Sequence, residues 1–170
     1  PLIRRDALAS VGEFAPTLTH AEEWDLYLRL AAKYDFVVVP KTQILYRQTA
    51  GSASAKIEVM EKDALKVIER AFQAAPTQLQ SLRNQSIANL YRYLAHLYLT
   101  KTADATAAGI AQQKLQIAIQ AYPKILLYRK VQTLLIKLLL IQLLSPKIAY
   151  YLLQKIAQIR AKRIQDNAVT

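Results

Sequence analysis

At 170 residues, with 53% hydrophobic and 21% charged, the chain can bury one domain or one and a half, which excludes a disordered charged tail. Three glycines and six prolines argue against a loop-rich sandwich, a collagen or a glycine-rich linker and favour helices, while zero cysteines and two histidines exclude a disulfide scaffold and a thiolate metal site and disfavour an imidazole one. The net charge of +11 is lopsided: ten basic and no acidic residues lie between Ala105 and Gln165, so that part is expected to meet an anionic partner, either lipid head groups or nucleic acid.

The first residues, Pro1-Leu2-Ile3-Arg4, contain nothing like a signal peptide, and the start reads as a cut inside a longer protein. Residues 2 to 14 predict a short helix with Gly12 at its C-terminus. Pro16 marks a loop, after which Glu22 to Lys33 predicts a helix. Its Trp24, Tyr27, Leu28 and Ala31 follow the amphipathic spacing, and Asp25 and Arg29 stand four apart. Phe36-Val37-Val38-Val39, closed by Pro40, predicts a buried strand, and Gln43 to Arg47 a second short one. Thr49 to Ser54 is a polar loop, with Ser54 as the N-cap of all that follows.

From Ala55 the chain reads as helical to its end. Ile57, Met60, Ala64, Val67 and Ala71 form one stripe, ended by Pro76. Helices are expected at Leu79–Leu99, Ala105–Ala121 and Ile125–Leu144, and Ser145-Pro146 opens a last one. Ala64, Ile68, Ala71 and Pro76 match Ala111, Leu115, Ala118 and Pro123 at a constant offset of 47 residues. That resembles the second helix of a tetratricopeptide unit, but the period departs from the expected ~34, and ordinary helical hairpins with small residues at their contacts are the favoured reading.

One ordered set of short motifs carries chemistry. Arg4-Arg5-Asp6-Ala7-Leu8 precedes Val11-Gly12-Glu13-Phe14. Glu22-Glu23-Trp24-Asp25-Leu26-Tyr27-Leu28-Arg29-Leu30 follows, and then Leu45-Tyr46-Arg47-Gln48-Thr49 with Gly51-Ser52-Ala53-Ser54. In order and spacing, residues 2 to 54 resemble the C-terminal half of the catalytic domain of family-2 glycosyltransferases. The resemblance implies an α/β remnant of a GT-A type fold at 1–54, a connecting helix at 55–76 and an all-α extension at 77–170. It implies inverting transfer of a sugar from a nucleotide-diphosphate sugar to a glycan or lipid-linked acceptor hydroxyl, in surface or cell-wall glycan synthesis at the inner face of the cytoplasmic membrane.

By the same resemblance Glu23 is the general base, at the second acidic position of the family's Glu-Asp motif. Glu22 and Trp24 lie at the acceptor, Asp25 beside them, and Arg47 near the diphosphate. A carboxylate in a first helical turn is kept ionised by the helix dipole, which suits a base. The plain alternative is that Glu22 and Glu23 are ordinary first-turn carboxylates, Trp24 core packing, and Asp25 with Arg29 a structural pair. Two departures stand out: Glu23 replaces the usual Asp, and Thr49 stands where the family often has His. The parent enzyme is expected to use a divalent metal, Mn or Mg, with ligands mostly outside this chain. No Asp-x-Asp motif occurs here, so the fragment alone is expected to be inactive.

The basic C-terminal part has its own reading. Arg129, Lys130, Thr133 and Lys137 share one helical face, and Leu127, Val131, Leu134 and Leu138 another. The apolar stretch is too short to span a bilayer, so a helix lying on an anionic membrane surface through 124–163 is weighed against a buried helix with snorkelling lysines. Nucleic acid ranks below both, since charge alone points to it. A non-enzymatic helical scaffold and a peripheral membrane-binding module remain as rivals to the transferase.

Overall fold

The computed structural model describes residues 1–41, 43–44, 56–101 and 105–144. Among the described residues there are six α-helices: α1 (Arg5–Val11), α2 (Glu22–Ala31), α3 (Ile57–Ala74), α4 (Arg83–Lys101), α5 (Ala105–Ala121) and α6 (Arg129–Leu143). Short 3-10 turns at Thr77–Leu82 and Pro123–Leu127 precede α4 and α6. The chain divides into two compact units at Ile87/Ala88, so α3 groups with the N-terminal segment.

In the first unit α1 packs on α2 and α2 on α3. Ala7 of α1 meets Leu26 and Leu30 of α2, with Val11 and Tyr27 closing the cluster. The expected inner face of α2 is therefore corrected: Trp24, Leu28 and Ala31 are exposed, and the adjoining face carries the packing. Apolar residues line two faces of this helix, so periodicity fits either, and contact with Ala7 selects one. The stripe predicted on α3 is observed, with Ile57, Ala64 and Val67 buried and Met60 and Ala71 half-buried.

The expected α/β character is not seen. Among the described residues there is no strand, and Phe36–Val39 runs irregularly through solvent, with Val37 93% exposed. An apolar run becomes a buried strand only when neighbouring strands complete its ladder and cover it, and the described residues supply none. Gln43 and Ile44 are irregular too, and the rest of that expected strand, the Ser54 cap and the helix after Ser145 lie outside the described residues.

The second unit buries an alanine-rich core. Ala108, Ala111, Leu115 and Ala118 of α5 recur at helical spacing against Ala88 and Ala95 of α4, Ile125, and Val131, Leu134 and Leu138 of α6. The offset noted in sequence has a local counterpart. Pro76 and Pro123 each end a helix and are followed by a 3-10 turn and another helix. Proline removes a backbone donor and halts the preceding helix, while its fixed φ suits the turn that follows.

Candidate active site

Chain direction around α2 is set by two buried carboxylates. Helix α1 ends at Val11, and Gly12 takes φ +80°, a conformation open to glycine and strained for L side chains. The carbonyls exposed at this end are gathered by Arg29 of α2 and by Lys33, just past its end. Arg29 donates to the carbonyls of Val11, Gly12 (3.4 Å) and Glu13 (2.9 Å), and Lys33 to that of Ser10 (2.8 Å). Cations at a helix C-terminus satisfy orphan carbonyls and oppose the dipole. Buried Asp25 fixes the Arg29 guanidinium through Nε at 2.9 Å.

The second carboxylate is Asp63 on α3, only 3% exposed. Its Oδ2 accepts the backbone N–H groups of Thr19 (3.0 Å) and His20 (3.1 Å) and the Thr19 hydroxyl (3.1 Å), and Oδ1 accepts Lys66 Nζ at 2.9 Å. The Lys66 ammonium, with the Thr19 and His20 donors, holds the Asp63 carboxyl well below the usual carboxylate range, against a burial effect that pushes it up. Ala21 then turns the chain through the left-handed region, φ 60°, directly into α2. No side chain caps α2, and Glu22, Glu23 and Asp25 crowd its first turn.

The expected site residues separate cleanly in this setting. Glu23 and Trp24 are exposed, Glu22 is half-buried, and Asp25 is buried under Arg29. Exposed Leu28 lies one turn beyond Trp24, so Glu23 borders an open apolar ridge. Arg47 and Thr49 lie outside the described residues. Asp63 was missed in sequence because the loop it clasps, at Thr19 and His20, is 44 and 43 residues away and no local motif announces it.

Among the described residues no three His, Asp or Glu side chains converge where an ion could be held. Oδ2 of Asp25 is engaged by Arg29, and both oxygens of Asp63 are engaged by Thr19, His20 and Lys66. An open groove of about 520 Å³ runs along α3, lined by Lys62, Leu65, Lys66, Glu69, Arg83 and Ile87 among others. Arg83 pairs with Glu69 there and lowers its pKa.

Helix α2 thus begins with two adjacent carboxylates, Glu22 half-buried and Glu23 open to solvent beside exposed Trp24. A family model described as glycosyltransferase like family 2 matches residues 1–97. The chain belongs to that family, and the match runs through α3 and into α4, well past the residue-54 limit of the motif resemblance. No curated protein and no solved structure matches it.

Proposed function

We propose that this chain is the acceptor-side part of an inverting glycosyltransferase that moves a sugar from a nucleotide-diphosphate donor to an acceptor hydroxyl in surface or cell-wall glycan synthesis. The observation that carries the reading is the open Glu23 carboxylate on the first turn of α2, in a chain of this family. Glu23 takes the acceptor hydroxyl proton as that oxygen attacks the anomeric carbon and the nucleoside diphosphate leaves from the opposite face. Exposed Trp24, with Leu28 beyond it, offers a flat apolar wall to an acceptor, and Glu22 hydrogen-bonds its hydroxyls. Asp25 acts through Arg29, holding α2 against the end of α1, and touches no substrate. Arg47 is assigned to the diphosphate. A divalent ion would be held by residues outside those described.

The test is nucleotide-sugar hydrolysis by the complete gene product across a donor panel, with water as the surrogate acceptor. Wild type is expected to release nucleoside diphosphate from one donor. Glu23→Gln is expected to lose about 10²–10⁴-fold in turnover with unchanged melting temperature. Glu23→Asp shortens the reach by about 1 Å, and misplacement of that order is worth up to roughly a hundredfold. Full activity in Glu23→Gln removes Glu23 as the base, and a panel with no turnover and no donor binding removes the transferase reading.

A further inference from the structure

The face of α6 turned away from its core is apolar and basic at once. Val131, Leu134 and Leu138 point into the second unit's core. On the other side Ile136, Leu139 and Leu143 are exposed on successive turns, Leu143 at 78%. The preceding 3-10 turn adds exposed Leu126 and Leu127, the latter 76% exposed. Single exposed leucines are unremarkable, but five large aliphatics are exposed within eighteen residues, two in the turn and three on the outer side of α6.

Cations frame these aliphatics. Lys124, Arg129 and Lys130 are exposed at their N-terminal end, and Lys137 lies on their flank. From Ala105 to Leu144 the chain carries no acidic residue at all. Nearby, partial burial and then the charges of Lys137, Arg92 and Lys130 push His96 below its ordinary value.

We infer that the outer face of α6, together with the 123–127 turn, docks on an anionic lipid bilayer. The aliphatic ridge would enter the boundary between head groups and acyl chains while the flanking cations meet lipid phosphates and carboxylates. Charge complementarity selects this occupant. A second copy docking by the same face would set Arg129, Lys130 and Lys137 against their own equivalents with no acidic group to intervene. Nucleic acid would leave the aliphatic ridge without a use, since no exposed aromatic lies on it for base stacking. No described helix is long and apolar enough to cross a membrane, so the contact is peripheral. The inference is independent of the glycosyl-transfer reading.

The experiment is co-sedimentation of the 170-residue chain with phosphatidylcholine vesicles, with and without 30% (~30 mol%) phosphatidylserine, at ~0.1 M and ~1 M salt. Binding is expected only with phosphatidylserine and is expected to collapse at high salt. Arg129→Gln with Lys130→Gln should lower partitioning about fivefold per cation removed. Ile136→Gln with Leu139→Gln should lower it roughly tenfold or more per residue, with the far-UV dichroism of both variants unchanged. Absence of binding to the anionic vesicles overturns the inference. So does equal binding to neutral ones, or retention of full binding by the Ile136/Leu139 variant. A dimer in sedimentation equilibrium that this variant dissociates, with no vesicle binding, assigns the ridge to a second copy instead.

Discussion

Asp63 is the residue whose removal should tell most about how the Glu22-Glu23-Trp24 turn is held. It is buried, ionised and bonded by four donors from two segments of the chain. Asp63→Asn keeps one acceptor oxygen but turns an amide N–H₂ toward donors, and is expected to cost about 2 kcal/mol in chemical denaturation. Its acid dependence has a definite sign. The folded-state pKa is depressed, so the stabilisation is complete above the unfolded carboxylate pKa of roughly 4 and is lost as pH falls below it. The Asn variant should show a flatter acid limb below that pH than wild type, measured by urea unfolding across the range. Glu23 is the converse case: an exposed carboxylate whose substitution is expected to move turnover and leave stability within about 0.5 kcal/mol.

At the scale of elements, the entry to α2 carries a cost that can be measured. Ala21 occupies the left-handed region, where an L side chain is disfavoured by about 1–2 kcal/mol and glycine is not. Ala21→Gly is therefore expected to raise the melting temperature, its gain reduced by the greater freedom of glycine in the unfolded chain. A loss of stability would mean that the Ala21 methyl packs usefully. Helix α2 also shows what local pattern can convey. Its existence, its start at Glu22, the Asp25–Arg29 pair and the Gly12 stop before it were all legible, because each depends on residues within four or five positions. Its inner face was not, since Trp24/Leu28 and Leu26/Leu30 are equally apolar and only Ala7 decides between them. Phe36–Val39 failed for the same reason: strand formation needs a partner that sequence within the run cannot name. On α6, Val131, Leu134 and Leu138 turned inward as the spacing required, while Leu127, expected beside them, stands in the 3-10 turn and is exposed.

For the whole molecule, the uneven charge separates the two units by their response to pH and salt. In the second unit His96 is pushed down by partial burial and by Lys137, Arg92 and Lys130. The folded state thus resists protonation that the unfolded chain accepts, so stability falls as pH drops below the ordinary value of 6.5. His96→Gln is expected to flatten that dependence between pH ~7.5 and ~5 in thermal melts, and added salt should act in the same direction by screening the cations. An unchanged slope in the variant would place the dependence elsewhere.

The bonds from Asp63 reach back across more than forty residues to two main-chain amides. Thr19 and His20 thereby become native reporters of α3. Their N–H groups are shielded from deuterium only while that helix is seated, so their exchange rates measure how often it lifts away. A fragment ending at residue 54 would lose this clasp and, with it, the bonds that hold the turn before Glu23. The smallest piece able to hold that turn in place must extend through Lys66, whatever boundary a motif search would draw.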